Sequence, residues 1–531
     1  MTSTENKIPA FEATPLDSIP QIVDEARDTF KSHKTKDVQY RLRQLRKLYW
    51  GVVDLSPQLE KALHQDLRKS KAEAYLTEID FVLSDLMLVI ENLESWAKDE
   101  SIPGTPAHLF MMKHRVRKEP LGTCLVIGAF NFPFQLCLAP CIGAIAAGCT
   151  VVLKPSEGSP ATAMVLKQLF DAYLDPTAYK VVNGAIDETT SLLDQKWDKI
   201  LYTGSTRVGK IIAKKAAETL TPVTLELGGL NPSFVTKNTD FPIAARRLMW
   251  GKTISAGQIC ISTNYVLAER SAVPNLIDAL KAVYNDFFPN GAKSSPDLAR
   301  IVNKGQFQRI KSQVDSSKGK IVLGGEMDES ELYIEPTVVL VDSPSDPMIT
   351  GETFGPVFSI LPFDSLDEAI AMANEICPTP LSLSTFGSNQ ENKKVIDQVT
   401  SGGASVNDSY VHAAFPFTPF GGVGQSGSGS YRGKASFDTF SHRRTVARNP
   451  GWADVLLKVR YMPYNFSLVE STPGRPPYTG LAFDREGTPI RGVKYWLGLL
   501  ARLGGKGPKG ALTRWILVLA TAFALTRWGG M

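Results

Sequence analysis

From residue 122 onward, short apolar runs and helix-like stretches alternate, and that rhythm leaves few folds open to the chain. Cys124-Leu-Val-Ile-Gly128 reads as a strand buried on both faces, followed by a small-residue helix over 136–147. Strands at 150–153, 179–182 and 199–202 come next, with helices at 159–173 and after Thr206. Elements in this order specify a parallel sheet covered on both faces, an α/β architecture. Such a sheet binds nucleotides beyond the carboxyl ends of its strands. The rhythm resumes over 240–407 and predicts a second α/β lobe, with strands at 264–269, 321–325, 333–342, 355–362 and 381–387. Ahead of the first sheet, residues 22–53 and 59–98 predict two long amphipathic helices. A Pro/Gly break at 101–106 precedes an alternating run at 110–120 that predicts a strand leaving the body.

A chain of 531 residues with 21% charged side chains has room for two or three globular domains. Its six cysteines show no paired spacing and no neighbouring histidines, so neither a metal site nor a disulfide framework is expected, and a reducing compartment fits. The first ten residues lack the apolar core of a secretory signal and the Arg-rich pattern of a transit peptide. Charge is uneven. Residues 451–531 hold 11 Lys+Arg against 4 Asp+Glu, and the remainder carries a net −3. No nucleic-acid partner is expected, because the body has no basic patch interleaved with aromatics. The basic tail suits a membrane surface better.

Several residues could carry chemistry. Cys260 follows a turn between a helical pattern at 242–255 and the strand at 264–269, a place where a thiol is both held and reachable. Free cysteine is more often an inert core residue, and the local sequence leaves both readings open. Glu226 sits in the apolar run Val223-Thr-Leu-Glu-Leu227; buried there, its pKa would rise toward that of a general base, whereas at a strand edge it would face solvent. Gly204-Ser-Thr-Arg-Val-Gly209 opens a helix and could bind phosphate, although it lacks the Gly-x-Gly-x-x-Gly spacing and could equally be a plain helix entry. The segment 419–429 is too rich in glycine for an element interior and reads as a loop passing close to a ligand or to another backbone.

Seven stretches then occur in one order: Gly128-Ala-Phe-Asn-Phe-Pro-Phe134, Val152-Leu-Lys-Pro-Ser-Glu157, Tyr202-Thr-Gly-Ser-Thr206, Leu225-Glu-Leu-Gly-Gly229, Gly257-Gln-Ile-Cys260, Glu352-Thr-Phe-Gly-Pro-Val357 and Pro419-Phe-Gly-Gly-Val-Gly424. Together they resemble the aldehyde dehydrogenase superfamily over about 20–449, and the ending 429–444 resembles its class 3, fatty-aldehyde branch. The resemblance implies a Rossmann-like NAD-binding domain (18–99 and 121–228) and an α/β catalytic domain (229–415). It also implies a bridging, oligomerisation element (100–120 and 416–449); beyond it, the residues themselves predict a linker with a membrane tail (450–531). It implies Cys260 as nucleophile, Asn131 with the Cys260 N–H as oxyanion donors, and Glu226 as the base that activates hydrolytic water. For the cofactor it implies Lys154 and Glu157 at the adenosine ribose, and Gly204, Ser205 and Gly209 in the turn at the pyrophosphate. Glu352 and Phe354 would position the nicotinamide ribose and ring. A glutamate at the ribose repels an added phosphate, so NAD is expected over NADP. The sequence departs from the family at Gly351, at Phe132 and at Ile261-Ser-Thr-Asn264; Phe132 and Ile259 are expected to line the substrate tunnel.

In the tail, Val493, Trp496, Leu497, Leu500 and Leu503 fall on one helical face with Arg491, Lys494 and Arg502 opposite, as in an interfacial helix. The apolar run 515–526 spans ~18 Å as a helix, short of a ~30 Å hydrocarbon core, so a monotopic or marginal anchor is expected. The expected protein is a membrane-associated, cytosol-facing homodimer that oxidises long apolar aldehydes with NAD. Straight-chain fatty aldehyde leads and apocarotenoid aldehyde is the alternative. A CoA-acylating enzyme and a catalytically silent scaffold on the same fold are the competing classes.

Overall fold

The strand Thr123–Ile127 stands in the middle of a six-stranded sheet in the computed structural model, which describes residues 7–102, 112–467, 483–492, 496 and 512–520. On one side of it lie Thr150–Lys154 and then Tyr179–Val181; on the other lie Lys199–Thr203 and Val223–Glu226, all parallel. The chain thus runs outward in one direction, returns, and continues in the other. The point of reversal falls between Thr123–Ile127 and Lys199–Thr203, where a parallel sheet opens a crevice beyond its strand ends. The helix Gln135–Ala147 has small or apolar side chains all round and is buried along its whole length, because the helices Val38–Leu67 and Asp80–Trp96 cover its outer side.

The second lobe holds a seven-stranded sheet ordered Lys320–Leu323, Thr337–Leu340, Val357–Phe363, Tyr265–Glu269, Pro232–Val235, Ser382–Phe386, Gly403–Val406, antiparallel only at its first edge pair. The single strand expected at 333–342 is two. Tyr333–Ile334 pairs with Met327–Asp328, while Thr337–Leu340 joins the large sheet, because Pro336 between them cannot donate to a ladder. A three-stranded sheet collects Glu100–Ser101, Arg115–Pro120 and Ser441–Val446, the segments expected to bridge.

The N-terminal helices also differ from the reading as two long rods. The first ends at Lys31 and a second begins at Val38, where Asp37 accepts the Gln39 N–H at 3.0 Å. That second helix runs on through Pro57 to Leu67 and stops at Arg68, whose φ is +58°. A short helix, Lys71–Ala74, passes into a π-helical turn over Tyr75–Ile79 before Asp80–Trp96.

Contacts divide the chain into two compact units, Met1–Glu100 with Val116–Thr445, and Ser101–Arg115 with Val446–Met531. The six-stranded and the seven-stranded sheet lie in the first. In the second, Gly451–Arg460 is a 3-10 helix and residues 512–520 are helical. Trp515, Ile516, Val518 and Leu519 are exposed there. Most of the basic amphipathic helix expected around 493–503, and the second half of the apolar run 515–526, lie outside the described residues. Among the described residues no helix is long and apolar enough to cross a membrane.

Candidate active site

Cys260 emerges from an unusual turn. Helix Phe241–Thr253 ends and three residues in succession, Ser255, Ala256 and Gly257, take positive φ values of 49°, 49° and 69°. For Ser255 and Ala256 this costs about 1–3 kcal/mol each, so surrounding bonds must hold it. Glu73 accepts the Ser255 N–H at 2.8 Å, and the Gln258 amide donates to the Ser255 and Arg300 carbonyls at 2.9 and 3.0 Å. At Gly257 a Cβ would lie 2.2 Å from the Gly355 carbonyl oxygen, so only glycine fits. Beyond the thiol, Asn231 donates to the Cys260 carbonyl at 2.7 Å and to that of Ser262 at 3.0 Å. The half-buried thiol is therefore fixed from both sides.

Asn131 follows the strand Thr123–Ile127 and is 2% exposed. Its side-chain amide donates to the Gln258 carbonyl at 2.8 Å, which places it beside the turn that carries Cys260. A primary amide has two N–H groups, so a second donor is left for a substrate oxygen. Glu226 ends the strand Val223–Glu226 and is also 2% exposed, so the solvent-facing alternative is wrong. Neither of its carboxyl oxygens has a hydrogen-bond partner among the described residues. The glycine-rich segment supplies the strand's last neighbour, since Gly427 pairs with Glu226 and a Cβ there would sit 2.0 Å from the Leu225 carbonyl. At Gly421, Gly422 and Gly427 the loop passes close to another backbone, one of the two readings the sequence left open.

These residues meet on one cavity of about 720 Å³ at the carboxyl ends of the first sheet. Asn131, Lys154, Glu157, Gly204, Ser205, Glu226, Cys260, Glu352 and Phe354 all line it. Gly209 does not. It lies inside helix Thr206–Ala217, where a Cβ would reach 2.7 Å from Leu227, so it serves close packing of helix on sheet. Phe132 and Ile259 do not line it either; both are buried in the hydrophobic core, and the Phe132 ring lies 4.0 Å under the Lys69 ammonium. Arg309, which the sequence reading passed over, lines the cavity and donates to the Glu352 and Thr353 carbonyls at 2.8 and 2.6 Å. It lies on a polar helix face with no local signal to separate it from ordinary surface arginine.

Burial sets the protonation states. It pushes the Cys260 thiol up to about 12, with the charges of Glu352 and Glu226 adding to the effect. It pushes Glu226 well above the usual carboxylate range, against the opposing charge of Arg432. Glu352 rises to about 7 by desolvation, partly offset by the Gly229 N–H and the charges of Lys252 and Arg309. At Glu157 burial acts upward too, but the Lys154 ammonium at 2.7 Å more than offsets it and holds the carboxylate below its ordinary value.

The sequence matches the model of the aldehyde dehydrogenase family over residues 2–446. The chain belongs to the aldehyde dehydrogenase family. This dehydrogenase is 55% identical over 524 residues, 98% of each chain, to a Neurospora crassa protein named beta-apo-4'-carotenal oxygenase. It is 43% identical to the mouse dimeric NADP-preferring aldehyde dehydrogenase, over 84% of this chain and 98% of that one. Among solved structures it is similar to the substrate-bound state of Staphylococcus aureus AldH, with a TM-score of 0.79 and 40% identity, covering 80% of this chain and 93% of that one.

The cavity of the dehydrogenase fits a nicotinamide dinucleotide. The Lys154–Glu157 pair offers a cation and a carboxylate for sugar hydroxyls, and the start of helix Thr206–Ala217 offers backbone N–H groups for phosphate. Thr203 and Glu226 leave buried oxygen atoms on its wall without a hydrogen-bond partner among the described residues.

Proposed function

We propose that this dehydrogenase oxidises an apocarotenoid aldehyde to its carboxylic acid, with NAD as hydride acceptor. The observation that carries the chemistry is the convergence of Cys260, Asn131 and Glu226 on one cavity. The substrate class is supported by the Neurospora crassa relative, whose similarity runs through the C-terminal tail, whereas the mouse relative covers 84% of the chain. Straight-chain fatty aldehyde, the leading expectation from the residues, becomes the second reading.

Cys260 Sγ bonds to the aldehyde carbon as the thiol proton passes to a base through water, since a thiol held at about 12 is almost wholly protonated at neutral pH. The carbonyl oxygen takes up the negative charge and is held by the Asn131 amide and the Cys260 N–H. Glu352 and Phe354, on the cavity wall, would hold the reactive end of a nicotinamide dinucleotide, which would supply the hydride acceptor. A thioester on Cys260 remains. Glu226, in a site that favours its protonated form, takes a proton from water; the water oxygen bonds to the acyl carbon, and the C–S bond breaks. The departing sulfur takes that proton back from Glu226, which restores the thiol and the carboxylate, and the acid leaves.

NAD is favoured over NADP because the Glu157 carboxylate, ionised beside Lys154, would stand against a ribose phosphate. We also propose a homodimer facing the cytosol, held to a membrane surface by the tail. The membrane contact is supported by the 11 Lys+Arg against 4 Asp+Glu in 451–531 and the exposed apolar side chains of the helix at 512–520, and the dimer by the mouse relative, which is named dimeric. Rates of reduced-cofactor formation from β-apo-4'-carotenal and from hexadecanal, each with NAD and with NADP, test the reading. It expects the apocarotenal with NAD to give the highest kcat/KM; a higher value for hexadecanal would restore the fatty-aldehyde reading. Flotation with anionic vesicles, with and without residues 451–531, tests the tail, and equal flotation of both would end it.

A further inference from the structure

Behind Asn131 lies a buried ion pair that none of the assigned roles uses. Lys69 and Glu78 are both 0% exposed, and their charged atoms are 2.6 Å apart. Each has a second task. Lys69 Nζ donates to the Asn131 carbonyl at 2.8 Å and sits over the Phe132 ring. The other carboxyl oxygen of Glu78 accepts the backbone N–H groups of Phe134 and Gln135 at 3.1 and 2.9 Å, where helix Gln135–Ala147 begins. The backbone from Asn131 to Gln135 is thus gripped at its start by Lys69 and at its end by Glu78. The same region reaches the nucleophile's turn: Ser255 Oγ donates to the Asn131 carbonyl at 3.3 Å, and Glu73 accepts the Ser255 N–H.

A buried ion pair is poor evidence of stabilisation, because apolar residues of similar volume do as well or better in its place. What it supplies is direction: charged donors and acceptors fix a backbone more narrowly than dispersion contacts do. We propose that Lys69 and Glu78 are positioning residues for aldehyde oxidation, holding the Asn131 backbone so that its side-chain amide points at the substrate oxygen beside Cys260. The π-helical turn Tyr75–Ile79 is part of the device, since it carries Glu78 into the interior. The inference rests on Asn131 acting as an oxyanion donor.

A double-mutant cycle on the full-length enzyme tests it, with whichever aldehyde gives the greater rate. Lys69→Met is expected to lower kcat about tenfold or more while cofactor binding, read by fluorescence, changes by less than about threefold. Lys69→Arg, which keeps a charged donor, is expected to recover part of the loss. In the Asn131→Ala background, Lys69→Met should cost less than about threefold, because the group it positions is gone. A full additional tenfold loss in that background would mean independent structural damage and would overturn the inference, as would a folded Lys69→Met enzyme with unchanged kcat. Should Lys69→Met fail to fold, Glu78→Gln takes its place in the same cycle with the same two outcomes. If Asn131→Ala itself left kcat unchanged, the oxyanion reading would fall and this inference with it.

Discussion

The Asn131 side-chain amide donates at 2.8 Å to the carbonyl of Gln258, 127 positions further along the chain, joining the end of one sheet to the turn that carries Cys260. One N–H is spent on locating the nucleophile's loop and the other is left for substrate. Asn131→Ala removes both. It is expected to lower kcat by a factor of several hundred, equivalent to about 3–4 kcal/mol of transition-state stabilisation, with little change in KM for the cofactor. Steady-state kinetics check this, and a loss smaller than about tenfold would take Asn131 out of the oxyanion site.

Glu226 is expected to act after hydride transfer. Glu226→Gln should form reduced cofactor in a fast burst of about one equivalent and then turn over slowly, because the thioester persists. In the wild type kcat should fall as the pH drops through the raised Glu226 value, since only the carboxylate takes a proton from water. That acidic limb should lie well above 4.5 and vanish in Glu226→Gln; a limb unchanged in the variant would assign it to another group.

At the ribose end, Glu157→Gln keeps the size of the side chain and removes its charge. Discrimination between NAD and NADP, taken as the ratio of kcat/KM values, should narrow about tenfold or more, mostly through better use of NADP. An unchanged ratio would mean that other groups choose the cofactor.

Much of this site was legible because its parts lie in short contiguous motifs. Neither Glu226 nor Cys260 is decided by its own local sequence; their places in a set of ordered motifs single them out, and burial of Glu226 at the end of its strand removes the solvent-facing alternative. Gly209 deceived because a glycine near a helix start can serve phosphate binding or close packing, and only the position of Leu227 distinguishes them. The split of 333–342 into two strands has a signal in the sequence, Pro336, which the apolar run around it outweighed; the separate ladder partners of the two halves were not visible there. Lys69 and Glu78 were invisible. Sixty-two positions separate Lys69 from Asn131, and a Lys/Glu pair on an amphipathic helical pattern reads as solvated surface until tertiary packing buries it.

Burial of carboxylates also shapes stability. Asp85 is 0% exposed, and desolvation raises it to about 7 from an ordinary 3.8, against the Gly433 N–H and the charge of Arg432. The folded state then holds this proton more tightly than the unfolded chain does. The group's stabilising contribution is complete below pH 3.8 and is lost as the pH rises through about 7. Asp85→Asn keeps an acceptor for Gly433 and cannot titrate, so urea midpoints measured from pH 5 to 8 should decline less steeply than in the wild type. Parallel slopes would contradict this.

The most direct test of the account is to trap the acyl-enzyme. Glu226→Gln protein is mixed with NAD and β-apo-4'-carotenal, quenched in acid, digested and analysed by mass spectrometry. The account predicts the apocarotenoyl mass on the peptide containing Cys260, in an amount matching the reduced cofactor formed in the burst. Reduced cofactor formed without that adduct, or an adduct on any of the other five cysteines, would contradict it.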